Sequence, residues 1–233
     1  PPGLEDAVDI EVAEARAIGL RMTVTRGSMN LSEEDGGLPP KAAVQDEDTI
    51  LADSERVLVK YHDRSEGAMT RIALAPCSPF SVTRSLMKAT ADLAAKHDCR
   101  LHTHLGETHD ENDFCLSTFQ CRPVDYLEEV GWMSDRTWLA HGIHFDDAEV
   151  VRLGRHGVGI CHCPTSNAVL ASGRIVMLRS TAGDLAHRGL VPAAVAAHLR
   201  QDDLGFRLDL AAREGAPAAR APDDGAHARS GSA

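Results

Sequence analysis

The sequence predicts an α/β protein, an incomplete (β/α)8 barrel of five strand-helix units followed by an irregular C-terminal tail. Three observations carry this. Short apolar runs alternate with amphipathic stretches, turn residues follow each run, and histidines gather at the carboxyl ends of the runs, at His104, His141 and His162. In a parallel barrel that end of the strands carries the active site, and a closed barrel needs about eight units.

The elements follow in order. Residues 4–18 place Leu4, Ala7, Val8, Val12, Ala15 and Ile18 among acids, the spacing of an amphipathic helix that Gly19 closes. Residues 20–24 read as a strand leading into Thr25-Arg26-Gly27-Ser28-Met29. The loop after it holds Gly36-Gly37-Leu38-Pro39-Pro40 and has the length of a functional loop. Ile50, Leu51, Val57, Leu58 and Tyr61 form the apolar side of a helix over 46–63. Residues 72–75 form a short buried strand, stopped by Pro76-Cys77-Ser78-Pro79, and 81–97 return to helical spacing behind a polar N-cap. A strand over 100–105, a helix over 123–130, a strand over 137–140 ending at His141, a helix over 146–155 and a strand over 158–161 complete the alternation.

From Arg174 the texture changes to alanine and arginine without lysine. Residues 184–200 can form a helix, whereas 211–233 read as poorly ordered, with almost nothing to bury. The expected division is a partial barrel over 1–173 and an atypical tail over 174–233 that is not a normal continuation of the domain. Pro1 in place of a methionine suggests that something precedes it.

Composition narrows the functional classes. A net charge of −11 and a pI near 5.5 argue against nucleic acid or an anionic membrane as partner. No apolar run is long enough to span a bilayer and no signal segment opens the sequence, so the expected compartment is the cytoplasm. The six cysteines form no compact framework and are expected to be reduced thiols. Cys161-His162-Cys163 has no second cysteine pair at zinc-finger spacing and sits in a strand pattern, which disfavours a structural zinc.

The chemistry centres on Leu101-His102-Thr103-His104-Leu105-Gly106-Glu107. Alternate strand residues share a face, so His102 and His104 point the same way, about 6.6 Å apart. Glu107 falls just past the strand end. A metal-ligating imidazole with a carboxylate three residues on suits metal-assisted hydrolysis, in which the ion acidifies water and the carboxylate carries protons. The same pattern also suits interior strand histidines held by hydrogen bonds.

The series His104 with Glu107, His141 in Ala140-His141-Gly142-Ile143-His144, and Cys163-Pro164-Thr165-Ser166-Asn167 resembles the amidohydrolase superfamily, in particular its purine and triazine aminohydrolases. Arg26-Gly27-Ser28-Met29, Gln45-Asp46-Glu47-Asp48, Cys77-Ser78-Pro79-Phe80 and Leu170-Ala171-Ser172-Gly173 look like the same branch. The resemblance implies a barrel of the metal-dependent hydrolase type. It also implies hydrolytic deamination of an amino-substituted heterocycle, 8-oxoguanine first, with triazine aminohydrolase or chlorohydrolase chemistry as an alternative. By likeness, His104 would be a ligand of one divalent metal, zinc or iron. Glu107 would shuttle protons between water and the substrate ring, and His141 would orient the water or polarise the ring. Arg26 and Cys77 are weaker candidates for substrate contacts, and Arg26 serves equally as an exposed or helix-capping arginine. His102, His144 and His162 read as interior or supporting histidines. His109-Asp110-Glu111 mimics the H-x-E of cytidine deaminases but lacks the P-C-x-x-C partner. An intact relative would be a homo-oligomer acting on a small purine- or triazine-like molecule.

Departures from the pattern stand beside the matches. The family's H-x-H on its first strand should precede residue 1, and no aspartate after Gly173 has the context of its last ligand. One histidine of four ligands cannot hold a catalytic metal at useful affinity. An inactive remnant, prone to association through its open edges, is therefore the competing expectation.

Overall fold

The computed structural model describes residues 6–172. The chain runs α1 (Ala7–Ala17), β1 (Met22–Ser28), α2 (Glu47–Tyr61), β2 (Thr70–Pro76), α3 (Arg84–His97), β3 (Arg100–Leu105), α4 (His109–Phe119), α5 (Pro123–Glu129), β4 (Thr137–His141), α6 (Asp147–Arg155), β5 (Gly159–Cys161) and α7 (Pro164–Val169). Short 3-10 turns at Glu33–Asp35 and Lys41–Ala43 punctuate the loop between β1 and α2. The strands form one sheet in the order β1-β2-β3-β4-β5, all neighbours parallel, which is an arc of a (β/α)8 barrel. The tail over 174–233, including the helix read at 184–200, lies outside the described residues.

Local chemistry explains the boundaries. The Asp46 carboxylate accepts from the Thr49 N–H at the start of α2, and Thr83 accepts from Leu86 at the start of α3. Asp146 and Glu149 form a reciprocal capping box on α6, and Pro123 and Pro164 occupy first-turn positions where no N–H is needed. Register-matched strand residues share a face. Val24 with Ile72, Leu74 with Leu101 and Thr103 with Leu139 therefore face the helices, where Ile50, Val57, Leu86, Met87, Leu127 and Leu153 complete the core. His102, His104, Trp138 and Ala140 occupy the opposite face.

Three elements depart from the sequence reading. α7 is a short helix opened by Pro164 where only the end of a strand is expected. β1 runs on to Ser28 because it pairs with β2 along its whole length, Met22 with Thr70 through Ser28 with Pro76. α4 has no counterpart in the expected series, and the reason is its thin apolar stripe: its buried residues are Glu111 and Cys115. The six cysteines stand as free thiols. No helix among the described residues is long and apolar enough to cross a membrane.

α1 is tied to α2 electrostatically. Asp9 takes Lys60 at 2.6 Å and Arg56 at 2.8 Å, and Tyr61 donates to it as well. Arg56, then Lys60 and Tyr61, hold the Asp9 carboxyl well below the usual carboxylate range. A depressed folded pKa contributes stability that is present above the ordinary value of 3.8 and is lost as pH falls below it. Asp9→Asn is expected to lower unfolding stability by about 1 kcal/mol at pH 7, since the cluster is partly solvated. The gap from wild type should narrow in thermal melts below pH 3.8.

Candidate active site

The carboxyl end of β3 places His104 last but one on the strand and Glu107 in the turn behind it. His104 Nδ1 donates to the Cys77 carbonyl at 2.7 Å, and the same carbonyl accepts the His104 backbone N–H at 2.9 Å and the Thr103 hydroxyl at 3.1 Å. A carbonyl can only accept, so Nδ1 keeps its proton, and in the neutral ring it is Nε2 that presents the lone pair. That is the tautomer a metal ligand requires. The Cys77 thiol, 3.9 Å from Nδ1, and then the Cys77 carbonyl push His104 up to about 9 against the effect of burial. An ion at Nε2 would have to displace a proton.

His141 reaches the same place by a backbone irregularity. Regular alternation would set it on the side of Leu139, away from His104, whose register partner is Ala140. A φ of +74° at His141, followed by +62° at Gly142, breaks that alternation. A non-glycine residue in the left-handed region is strained by about 1–3 kcal/mol and persists only where its surroundings hold it. Here Nδ1 lies 2.7 Å from Asn167 Oδ1 on α7, and Nε2 lies 3.4 Å from Glu107 Oε1. The His104 and His141 ring centroids are 5.4 Å apart. His104, Glu107 and His141 thus converge on one strand end.

The other sequence candidates divide. Arg26 is buried and engaged by Asp53 at 2.6 Å, by Gln45 at 3.2 Å and by the Gly27 carbonyl, so it is neither an exposed nor a capping arginine. With Cys77, His102, His104 and Gly27 it nevertheless lines a cavity of about 470 Å³. His102 donates Nδ1–H to the Trp138 carbonyl at 3.1 Å and stacks on the indole at 4.7 Å, and burial lowers its pKa. His144 donates to the Ser172 carbonyl at 2.7 Å and packs against His109. Asn167 was visible in the sequence as part of Cys163-Pro164-Thr165-Ser166-Asn167, but its hydrogen bond to His141 spans 26 positions and had no local signal. Among the described residues no group of three His, Cys, Asp or Glu side chains could hold a metal ion. The residues therefore fit a metal only as one wall of its site: His104 offers one donor of the right tautomer.

The strand-end set sits on a parallel α/β arc, and the chain belongs to the amidohydrolase family, whose model matches residues 5–182. It is 61% identical over 173 residues to 8-oxoguanine deaminase of Pseudomonas aeruginosa, covering 74% of this chain and 38% of that protein. It is 37% identical over 157 residues to hydroxydechloroatrazine ethylaminohydrolase of Pseudomonas sp. (strain ADP), covering 67% of this chain and 32% of the relative. The crystal structure of an atrazine chlorohydrolase from Arthrobacter aurescens complexed with zinc superposes with a TM-score of 0.71 at 29% identity, over 74% of this chain and 38% of that one. The chain thus spans 38% or less of the length of these relatives.

Proposed function

We propose that this chain supplies one catalytic wall of a metal-dependent hydrolytic deaminase acting on an amino-substituted heterocycle, 8-oxoguanine in first place. The observation that carries this is the convergence of His104, Glu107 and His141, in a chain 61% identical over 173 residues to an 8-oxoguanine deaminase. Glu107 takes a proton from water as the water oxygen adds to the amino-bearing ring carbon. That proton passes to the ring nitrogen of the opened C=N bond, and the hydroxyl proton then moves through Glu107 to the amino nitrogen, which leaves as ammonia while a new carbonyl forms on the same carbon. His141 Nε2, 3.4 Å from the Glu107 carboxyl, shares that proton and orients the carboxyl. Asn167 holds the other imidazole nitrogen and thereby keeps Nε2 turned to Glu107. Cys77 would contact the heterocycle from the wall of the 470 Å³ cavity, of small-ligand volume, that it lines with His104. Arg26, turned toward Asp53 on the helix side of β1, would reach it from the rim of the same cavity, whose lining stops short of Glu107 and His141. His104 Nε2 would hold the ion, zinc or else iron, together with ligands from outside the described residues. When bound, such an ion acidifies water enough for attack near neutral pH.

A second reading, that the chain is inert by itself, is favoured by the lack of any three-ligand group among the described residues. Metal analysis with ammonia release from 8-oxoguanine, guanine and hydroxytriazines separates the two. The 233-residue chain alone is expected to hold no stoichiometric zinc and to release no ammonia. A graft carrying residues 6–172 in the matching stretch of the Pseudomonas aeruginosa enzyme is expected to turn over 8-oxoguanine. Zinc and turnover from the chain alone would overturn the second reading. In the graft, Asn167→Ala should lower kcat by about 10–100-fold with KM little changed, because it removes the partner that fixes the His141 ring. Steady-state kinetics check this.

A further inference from the structure

We propose that Glu111, buried in the first turn of α4, is a positioning residue for Glu107: its carboxylate clamps the two backbone N–H groups that set where the Glu107 side chain points. The proposal rests on the reading of Glu107 as the proton carrier. Glu111 is 1% exposed, and both of its oxygens are used. Oε1 accepts from the Gly106 N–H at 2.7 Å and Oε2 from the Glu107 N–H at 3.1 Å. In a capping box the third helical residue reaches back to the amide of the N-cap. Glu111 holds that third position in α4, whose N-cap is Thr108, yet its carboxylate reaches past Thr108 to the two residues before it. Thr108 itself makes no side-chain cap. The helix end thus holds the turn rather than itself.

The same turn is gripped from its other side. The Gly106 carbonyl accepts from the Ile143 N–H at 2.7 Å and the His144 N–H at 2.9 Å, in the loop leaving β4. Glu111 and that loop together fix the Glu107 backbone against the strand end that carries His141. An unpaired buried carboxylate is costly, and two charge-assisted hydrogen bonds offset that cost. Burial pushes the Glu111 carboxyl up to about 7.

The test uses NMR on the full 233-residue chain. In Glu111→Gln the amide group can satisfy one N–H but not both. Hydrogen exchange at the Gly106 and Glu107 amides is expected to quicken about tenfold or more, while Leu101 and Leu105 stay within about twofold of wild type. The His141 ring resonances are expected to move toward the positions they take in Glu107→Gln, and Glu111→Asp should recover part of both effects. Unchanged exchange at the two amides overturns the proposal. Faster exchange with an unmoved His141 ring overturns it too, since it would make Glu111 a helix cap alone. Should Glu111→Gln fail to fold, the wild-type chain still decides: the Gly106 and Glu107 amide protons must titrate with the midpoint of the Glu111 carboxyl carbon, and independent midpoints refute the clamp. None of these readouts needs turnover, so an inert graft counts against the deaminase reading and leaves this result standing.

Discussion

Glu107→Gln in the graft is expected to lower deaminase turnover by about 10²–10⁴-fold, the contribution of a positioned general acid–base group. The amide keeps the size and polarity of the side chain but cannot take up a proton from water or deliver one to nitrogen. Because Glu107 is not placed as a metal ligand, zinc content should match that of the unsubstituted graft, and so should the thermal midpoint. The backbone that presents it is held through its own N–H by Glu111 and through the preceding residue's carbonyl by Ile143 and His144, and the ion-pair contact of the carboxylate with His141 Nε2, at 3.4 Å, can be kept as a hydrogen bond by the glutamine amide. Loss of kcat with zinc retained is the expected pair of results. Full turnover in the glutamine variant would remove Glu107 from the mechanism, and loss of zinc would make it a ligand.

Gly106→Ala is expected to lower the unfolding free energy of the chain by about 2–5 kcal/mol, the sum of left-handed backbone strain and overpacking. Gly106 has a φ of +68°, and an added Cβ would lie 2.6 Å from Phe145 Cε1 and 2.8 Å from Cζ. Phe145 is itself 3% exposed and packed in the core, so the ring cannot swing aside freely. Gly67→Ala provides the control. Its φ of +74° carries the same strain, but nothing lies within 4 Å of the added carbon, so about 1 kcal/mol is expected. Denaturant unfolding of the two variants measures the difference. Equal losses would mean that the Phe145 contact yields without cost.

The two results separate chemistry from architecture at neighbouring positions. The turn after β3 combines a left-handed glycine, a buried carboxylate and a carbonyl bound twice, which would hold the proposed proton carrier still. Preorganisation of this kind is what gives general acid–base groups their effect.

Much of this was legible in the sequence because it depended on local rules. β3 fell where the apolar run 100–105 placed it, and His104 and Glu107 were readable from their spacing at the strand end. His141 was readable as the last residue of the next strand, although its left-handed backbone, which turns the ring toward Glu107, was not. What escaped is tertiary. Arg26 meets Asp53 across 27 positions, and His141 meets Asn167 across 26, distances over which no periodicity reports. α4 escaped for a different reason: its most deeply buried charged residue is Glu111, and a helix that turns a carboxylate inward presents the wrong pattern to a reading built on apolar stripes.

The measurement that bears most directly on the account is ammonia release from 8-oxoguanine by the zinc-loaded graft of residues 6–172. The account predicts turnover within about tenfold of the unaltered Pseudomonas aeruginosa enzyme, since the transplanted wall carries the proton carrier and its orienting imidazole with their supports. A folded, zinc-loaded graft that leaves 8-oxoguanine, guanine and hydroxytriazines all untouched would contradict it.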